Sequence, residues 1–381
     1  MKKKILVLVD WYEPGYKAGG PVQSCKNFVA AMRDYFDFHI ITSDRDLGDQ
    51  QPYPGITANQ WTKKNENVRI YYAEEKDLTS SVLNQLIQFV SPDYIYLNSM
   101  YSYHFTVLPL WLQGTKKINA KIVIAPRGML QQGAIQFKSF KKKIFIRILN
   151  LSGIPRKLRF HATDEQEKKD ILRYFPSAGS VSVITNFSRP GQSQWKSLPK
   201  DPGYLNCVFI SRIVPKKNIL FILNIFSQLP KNIKLHLSLR GDIEDNLYWE
   251  KCNSVITGLP GNISVSWEGP VANDQVPETL SRYHVFVLPT RGENFGHAIF
   301  EALSSGKPVL ISDRTPWRDL EQKKIGWDLS LDKPELFLEA IEKAAGFDQQ
   351  EYDLWSQNAW TYAHEYSTRL NLKEDYLKLF S

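Results

Sequence analysis

The sequence is poor in cysteine and in long hydrophobic runs. Its 381 residues include three cysteines, Cys25, Cys207 and Cys252, which lie far apart and form no CxxC pair or cysteine–histidine cluster. A disulfide framework and a zinc site are therefore not expected, and a reducing cytoplasm fits best. No window reaches the ~18 to 20 uninterrupted apolar residues of a membrane-spanning helix. We accordingly predict a chain that does not cross a membrane.

A secretory signal and a dinucleotide-binding motif are also missing. The start, MKKKILVLVD, has a basic head like a secretory signal, but its apolar run covers only Ile5 to Val9. A secretory signal needs about 7 to 15 apolar residues, so we interpret this run as a first β-strand. The motif GxGxxG does not occur either, so the dinucleotide-binding fingerprint is absent.

What the sequence does contain is the composition of a folded protein, with 43% hydrophobic, 23% charged and 13% aromatic residues. A disordered chain would be poor in aromatic residues, so disorder is excluded. At roughly 150 residues per domain, the length predicts two to three domains. The net charge of +8 favours a phosphate-rich partner or an anionic membrane surface without choosing between them.

Short apolar runs alternate with longer helical patterns along most of the chain. Runs such as KILVLV, FDFHIIT and DYIYLN in the first half, and LNCVFIS, KLHLSLRG and HVFVLPT in the second, are typical of strands buried in a parallel sheet. The predicted fold class is therefore α/β, with two doubly wound, Rossmann-like domains whose parallel sheets face an interdomain cleft.

The predicted domains are residues 1–187 and 205–361. Between them, residues 188–204 contain three prolines, two glycines and little apolar periodicity, as is typical of a linker. The tail is helical by pattern, and its last part, about 362–381, is expected to pack back onto the first domain. Ligands of open parallel sheets bind at the carboxyl ends of the strands, so functional residues are expected in the loops that follow them.

The strongest such loop lies in the segment TRGENFGHAIFEAL. Glu293 follows the strand HVFVLPT, and an apolar helix begins near His297. The free amides of a helix start, together with its dipole, can bind a phosphate or a sugar hydroxyl. Glu301, on the first turns of that helix, can accept hydrogen bonds from both hydroxyls of a ribose.

A second loop, SRIVPKKN, follows the strand LNCVFI. It carries Arg212 and Lys217 at the opening of the next helix. Arginine binds phosphate oxygens as a fork and lysine acts as a mobile point charge, so the two suit a diphosphate and could stabilise its charge as it leaves.

These motifs resemble those of the retaining glycosyltransferases of family 4, which have the GT-B fold. The resemblance is specific over most of residues 205–320 and looser elsewhere. Arg212 and Lys217 match the family's diphosphate-binding pair, and Glu293 and Glu301 match its glutamates. The matching donor-binding positions are Asn294, Phe295 and Gly296 between the glutamates, and Gly241 and Gly269 after neighbouring strands.

The second domain departs from the family pattern at three positions. Ser211 stands where the family usually has glycine, Lys216 where it often has glutamate, and Asn218 where it often has glycine. None of these removes a charge that the chemistry needs, but they leave the finer geometry of the phosphate loop open.

In the first domain, the loop AGGPVQS resembles the family's glycine-rich first loop, in which Gly19 and Gly20 let the backbone approach a donor phosphate or an acceptor. Asn98 ends the strand DYIYLN, where many relatives have a histidine that meets the donor sugar. Asn98 could still hydrogen-bond a sugar hydroxyl. His104 follows six residues later and is also a candidate for acceptor or sugar contact, although a structural role is the simpler interpretation. Arg127, after another strand, is expected to contact acceptor or phosphate.

The segment 137–159 is basic and contains no acidic residue. Its cations are Lys138, Lys141, Lys142, Lys143, Arg147, Arg156, Lys157 and Arg159. Interleaved Phe and Ile residues make it amphipathic, which fits peripheral contact with an anionic membrane or a lipid diphosphate. A helix that packs its apolar stripe inward under a solvated basic face explains the pattern equally well. Nucleic acid is not expected as a partner, because no recognised binding module is present.

The cysteine content favours a cytoplasmic location, and the basic segment 137–159 favours association with a membrane. The resemblance implies an enzyme of polysaccharide or lipopolysaccharide biosynthesis. It would move a sugar, with retention of configuration, from a nucleotide-sugar donor to a glycan or lipid-linked acceptor, with Glu293, Arg212 and Lys217 as catalytic residues. No metal or cofactor is implied, and a UDP-sugar is the favoured donor. The alternatives are a nucleotide-sugar epimerase of the same fold and a non-catalytic sugar-binding protein.

Overall fold

A computed structural model describes residues 2–131, 134–135, 139–189, 193–369 and 371–381. The chain divides into two compact units. The first unit comprises Met1–Phe187 and Asn371–Ser381, and the second comprises Ser188–Leu370. Each unit is an α/β fold with its own sheet and its own hydrophobic core.

The first unit is built on an eight-stranded sheet of order β3-β4-β2-β1-β5-β6-β7-β8. The pairing of β3 with β4 is antiparallel and all other pairs are parallel. The strands are β1 (Lys3–Leu8), β2 (Phe36–Ser43), β3 (Trp61–Asn65), β4 (Val68–Ala73), β5 (Tyr94–Leu97), β6 (Lys121–Ile124), β7 (Arg159–Ala162) and β8 (Ser180–Val183). The strand order reverses between β1 and β5.

The described α-helices of the first unit are α1 (Gly20–Met32), α2 (Ser80–Val90), α3 (Leu108–Gly114), α4 (Ser139–Leu151), α5 (Glu165–Tyr174) and the C-terminal α12 (Leu372–Leu379). The C-terminal segment is fixed by aromatic packing, because the ring of Tyr376 stacks on Phe28 of α1 with centroids 4.8 Å apart. Phe380 also packs on Phe28 and on Phe36. This segment begins at Asn371 rather than near residue 362, because the preceding helix continues to Arg369.

The second unit has a six-stranded, fully parallel sheet of order β11-β10-β9-β12-β13-β14. Its strands are β9 (Tyr204–Ile210), β10 (Lys234–Arg240), β11 (Ile263–Trp267), β12 (Val285–Leu288), β13 (Val309–Ser312) and β14 (Gly326–Leu329). Its described α-helices are α6 (Ile219–Phe226), α7 (Asn246–Thr257), α8 (Val276–Ser281), α9 (His297–Ser304), α10 (Pro334–Gly346) and α11 (Gln349–Arg369). Here the order reverses between β9 and β12.

Burial follows the apolar runs of the sequence. All four residues of β5, β12 and β13 are buried, as is expected for central parallel strands covered on both faces. In the second unit, Trp327 of β14 stacks on Trp355 of α11 with ring centroids 4.6 Å apart. Lys200 is 4% exposed and its Nζ donates to the carbonyls of Ala345 and Phe347 at the end of α10.

The predicted class of two doubly wound parallel sheets is confirmed. Two strands, β3 and β14, were not predicted from the sequence. The segment of β3 is mostly exposed and polar, and β14, with the sequence GWDL, contains a glycine and an aspartate, so neither has a continuous apolar run. In the part of the chain that is described, no helix is both long enough and apolar enough to span a bilayer.

Candidate active site

The carboxyl ends of β9 and β12 bring Lys217 and Glu293 together in the second unit. Lys217 lies in a 3-10 turn between β9 and α6, and Glu293 lies in the loop between β12 and α9. The Nζ of Lys217 is 2.5 Å from Oε1 of Glu293, and each side chain is 13% exposed. Because the strand order reverses between β9 and β12, this ion pair lies at the switch point where doubly wound sheets bind ligands.

Backbone hydrogen bonds fix the two loops to each other. The amide of Arg291 donates to the carbonyl of Lys216 at 2.8 Å, and the amide of Glu293 donates to the carbonyl of Arg314 at 3.0 Å. Asn218 starts α6 in the left-handed conformation, with φ of 62°. The loop geometry left open by the departure from glycine at this position is therefore resolved, since asparagine is among the residues that tolerate this conformation.

Glu293 remains ionised although it is largely enclosed. Burial alone would raise the pKa of its carboxyl group, but Lys217, Lys216 and the hydroxyl of Thr290 together hold that pKa below the ordinary value of 4.5. The carboxylate therefore neutralises Lys217 in the free protein.

Arg212 also has a carboxylate partner in the same unit. Its Nη1 donates to both carboxylate oxygens of Glu244, at 3.1 and 3.0 Å, and about a third of each side chain is exposed. The electrostatic neighbours of Lys216 are Glu293, Lys217 and Arg212, so the two predicted cations lie near the same lysine, although each pairs with a different glutamate. Glu244 was not identified from the sequence, although it stands four residues after β10, in one of the loops where functional residues are expected.

Gly241 and Gly269 lie beside this loop. A Cβ added at Gly241 would lie 1.9 Å from the carbonyl oxygen of Ser211, so only glycine lets the backbone after β10 approach the loop that carries Arg212. The amide of Gly241 donates to the carbonyl of Gly269 at 3.0 Å, and the indole of Trp267 donates to the carbonyl of Gly241 at 2.9 Å. Both glycines therefore have a structural role, and their nucleobase contact stays a prediction.

The turn Asn294, Phe295 and Gly296 leads into α9. Gly296 has φ of 78°, and a Cβ there would lie 2.9 Å from Ile299. The ring of Phe295 is 4% exposed and packs edge-on against Trp317 at 5.4 Å, so its side chain belongs to the core. Any donor contact by Phe295 is therefore expected from its backbone. Asn294 precedes the start of α9, where the amides of the first turn have no partner inside the helix.

Glu301 lies on α9, eight residues after Glu293 and one turn into the helix. Burial raises the pKa of its carboxyl group to about 7, with Arg189 acting in the opposite direction. In the described part of the chain, no hydrogen bond to this carboxylate lowers its pKa. A half-buried carboxyl group whose oxygens have no such hydrogen bond can accept hydrogen bonds from ligand hydroxyls. The contact of Glu301 with a ribose remains a prediction.

The glycine-rich loop of the first unit leads directly into α1. Gly19 caps this helix with φ of 68°, and Gly20 is its first residue, followed by proline. Asp10, which comes two residues after β1, was missed by the sequence analysis. Burial raises the pKa of Asp10, while a hydrogen bond from Ser102 and the nearby His104 lower it. Its place after the first strand of a parallel sheet was the available signal.

Arg127 is enclosed by polar side chains of its own unit. Its guanidinium is 9% exposed, and it donates to the side-chain oxygens of Asn98 and Asn186 and to the hydroxyl of Tyr96, the last at 2.8 Å. Asn98 is 2% exposed, and its Nδ2 is buried without a hydrogen-bond partner among the described residues. Arg127 therefore joins the loops after β5, β6 and β8 from within. An acceptor or sugar contact by Asn98 and an acceptor or phosphate contact by Arg127 stay predictions.

His104 lies in a turn of π-helix, Tyr103–Val107, before α3. Its Nδ1 is 3.0 Å from the carbonyl of Leu78, and its Nε2 is 3.7 Å from Glu75. These contacts fix the ring to the segment before α2, in agreement with the structural interpretation of this histidine.

The second unit carries a family match. Residues 192–359 match the sequence profile of the family described as glycosyl transferases group 1. Sulfoquinovosyl transferase SQD2 of Arabidopsis thaliana is 26% identical over 105 residues, which cover 28% of this chain and 19% of that protein. The chain thus spans less than a fifth of this curated relative.

Solved structures resemble the chain over its full length. Sucrose-phosphate synthase from Thermosynechococcus elongatus is 15% identical with a TM-score of 0.71, covering 100% of this chain and 99% of that one. The Anabaena protein HepE, in complex with UDP and glucose, is 16% identical with a TM-score of 0.67, covering 99% and 98%. At these identities the likeness establishes the fold, which is GT-B. The resemblance that the motifs suggested is confirmed to this extent: the chain has the GT-B fold, and most of its second unit matches the glycosyl transferases group 1 family.

Proposed function

We propose that the protein is a retaining glycosyltransferase that moves a sugar from a nucleotide-sugar donor to a glycan or lipid-linked acceptor in cell-surface polysaccharide biosynthesis. The observation that carries this proposal is the Lys217–Glu293 ion pair at the switch point of the second unit, with Arg212 on the same loop after β9 paired to Glu244. This is the part of the chain that matches the glycosyl transferases group 1 family.

The paired charges suit a diphosphate that arrives and leaves. Arg212 and Lys217 are each neutralised by a glutamate in the free protein. A diphosphate would compete with these carboxylates, with Arg212 binding oxygens as a fork and Lys217 as a point charge. Glu301 would accept hydrogen bonds from the ribose, and Glu293, released in part from Lys217, would contact the donor sugar.

The transfer itself would need few protein groups. The bond between the anomeric carbon and the diphosphate oxygen breaks, and a bond from the acceptor hydroxyl oxygen to the same carbon forms on the same face. The acceptor's proton passes to the departing diphosphate, whose negative charge Arg212 and Lys217 stabilise. No metal or cofactor is part of this proposal.

A UDP-sugar is the proposed donor. The support is that the structurally similar Anabaena HepE was crystallised in complex with UDP and glucose. The first test is a thermal-shift panel of UDP, GDP, ADP and their sugars, because a ligand that binds only the folded state raises the melting temperature. We expect UDP or its sugar to give the largest shift. A panel in which no nucleotide shifts the melting temperature would overturn the proposal.

The second test is turnover by the Arg212→Ala variant at saturating donor. We expect a loss of about 100-fold, because the charge on the leaving diphosphate is then less stabilised. Arg282→Ala is the matched control, since Arg282 is an exposed arginine of the same unit that pairs with Glu278. Unchanged turnover in Arg212→Ala would contradict the assigned role.

Product analysis separates the transferase from its alternatives. Donor incubated without acceptor should keep its sugar configuration, whereas an epimerase would convert it. With a competent acceptor, NMR of the new glycosidic bond should show the donor's anomeric configuration. Nucleotide binding with no turnover in any acceptor screen would favour a non-catalytic sugar-binding protein.

A further inference from the structure

Helix α4 of the first unit exposes an apolar stripe. The large hydrophobic side chains on its outer face are Phe140, Ile144, Ile148 and Leu151, which are 76%, 42%, 61% and 79% exposed. Large apolar side chains that lie singly on a surface are ordinary, but four at successive helical turns on one face form a contiguous patch. We define these four residues as the outer stripe.

The helix already has a second apolar stripe that faces the core. Ile146 and Leu149 are buried in the core of the first unit, and Phe145 packs edge-on against Tyr101 with centroids 5.7 Å apart. Packing against the first unit therefore explains only the inner residues. The sequence-based alternative, an apolar stripe packed inward under a solvated basic face, describes Ile146 and Leu149 but does not account for the outer stripe.

Basic residues flank the outer stripe on both sides. At about 100° per residue, its four members fall within an arc of about 80°. Lys143 and Arg147 lie beside one edge of the stripe and Lys141 beside the other, and all three are exposed. Lys142 instead turns inward, where its Nζ donates to the carbonyl of Ala134 at 2.6 Å. The predicted Lys138 lies outside the described residues.

We propose that α4 lies in the plane of an anionic phospholipid bilayer, with the outer stripe between the acyl chains and Lys141, Lys143 and Arg147 at the headgroups. An apolar centre with cationic edges matches a surface whose interior is apolar and whose headgroups are negative. Residues 139–159 contain no acid that would repel such headgroups. This inference goes beyond the proposed transfer reaction and does not depend on it.

Charge also argues against a second copy of this chain as the occupant. Two copies facing each other through the outer stripe would bring like-charged edges together, which is unfavourable unless anions separate them. Exposed Arg156 and Lys157, which follow the helix, would add to the repulsion. A bilayer containing phosphatidylglycerol removes this repulsion and covers the apolar residues.

Flotation with lipid vesicles tests the proposal without donor or acceptor. The full chain should float with vesicles of phosphatidylcholine and phosphatidylglycerol and remain unbound with phosphatidylcholine alone. The double variant Ile148→Ser/Leu151→Ser should bind the anionic vesicles about 30-fold more weakly, because two buried side chains are lost. Lys143→Gln/Arg147→Gln should cost about five-fold per cation removed and reduce the salt dependence.

Leu247→Ser is the matched control, because Leu247 is 72% exposed on α7 of the second unit. It should bind vesicles as the unaltered chain does. No binding to anionic vesicles, or equal binding by the Ile148→Ser/Leu151→Ser variant, would overturn the proposal. So would a dimer, seen by analytical ultracentrifugation, that the same double variant abolishes while vesicle binding is unaffected. Because the readout is flotation, an inactive but membrane-binding chain would refute only the transfer reaction.

Discussion

Arg127 in the first unit and Lys217 in the second occupy equivalent places, each in a loop at the carboxyl end of a parallel strand. Arg127 is 9% exposed, and the partners of its guanidinium are two amide oxygens and a phenol. Lys217 is nearly as enclosed, but its partner is the carboxylate of Glu293. One cation is held by neutral dipoles, and the other is neutralised by an opposite charge.

Arg127 is a cation that holds loops together, whereas Lys217 is a cation that can exchange its partner. Amide oxygens from the loops after β5 and β8 and a phenol oxygen from β5 surround Arg127, so moving it would leave each of them without its donor. A phosphate could take the place of a carboxylate at Lys217 or Arg212 without leaving the cation unpaired. The comparison teaches that burial of a conspicuous cation does not make it a ligand-binding residue, and that its partner's chemistry is the better guide.

The variant with the largest expected effect is Gly241→Ala, because it prevents the close approach of two backbone segments in the second unit's site. In Gly241→Ala the new Cβ would meet the carbonyl oxygen of Ser211 at 1.9 Å, so the loop that carries Arg212 must move. We expect a loss of about 3 to 4 kcal/mol in the free energy of unfolding of the second unit, with weakened nucleotide binding. Denaturant titration and calorimetry measure the two effects.

Gly261→Ala is the control for that variant. Gly261 is exposed, and an added Cβ there meets nothing within 4 Å. Its stability should stay within about 0.5 kcal/mol of the unaltered chain. Equal behaviour of the two variants would show that the close approach at Gly241 has no energetic weight.

Arg127→Met tests the structural side of the comparison. The variant keeps much of the side-chain volume but leaves the oxygens of Asn98 and Asn186 without their donor, which should destabilise the first unit by about 2 to 3 kcal/mol. Arg33→Met, at an exposed arginine of the same unit, should have little effect. If Arg127→Met kept full stability but lost acceptor turnover, the comparison would fail, because Arg127 would then be a ligand-binding residue after all.

The sequence was sufficient to predict the fold class and the loops that carry the second unit's charges. Near-continuous apolar runs are a local signal, and the carboxyl ends of parallel strands converge by geometry, so Lys217 and Glu293 could be expected to lie close together. The pairing of Arg212 with Glu244, 32 residues away, was not predictable. Which carboxylate a flexible cation reaches depends on how two loops pack, and neither loop's sequence specifies that.

Burial of single side chains was the other limit. Phe295 stands inside a motif with charged neighbours, yet its ring packs in the core against Trp317. In α4 the sequence showed one mixture of basic and apolar residues, whereas the structure separates them into an inner stripe and an outer stripe. Helical periodicity alone cannot distinguish these stripes, because which one meets the core depends on the surrounding elements.

Lys217→Met tests the exchangeable side of the comparison. Without Lys217, burial dominates at Glu293, so the pKa of its carboxyl group should rise above 4.5 instead of lying below it. The lowered pKa contributes stability above pH 4.5 that is lost as the pH falls through the folded-state pKa. In the variant the sign reverses, and stability should fall as the pH rises through the new pKa. We expect a deficit of about 2 kcal/mol at pH 7 that shrinks toward pH 4.

The double variant Lys217→Met/Glu293→Gln is the matched control. It removes both charges, so the pH-dependent part of the deficit should disappear while nucleotide binding stays weak. Urea titrations at a series of pH values between 4 and 7 measure the difference. A deficit in Lys217→Met that is the same at every pH would show that the ion pair is not coupled to the ionisation of Glu293.

The smallest expected effect is the pH dependence of nucleotide binding through Glu301. Burial raises the pKa of its carboxyl group to about 7, so in the free protein stability should decline as the pH rises from 4.5 through 7. If the ionised carboxylate accepts hydrogen bonds from the ribose, affinity changes in the opposite direction and should increase about ten-fold between pH 6 and pH 8. Calorimetric titration of UDP into the unaltered chain and into Glu301→Gln separates the effect of Glu301 from the ionisation of the nucleotide's phosphate. That ionisation is the same in the two experiments. A parallel pH dependence in the two proteins would remove Glu301 from the ribose site.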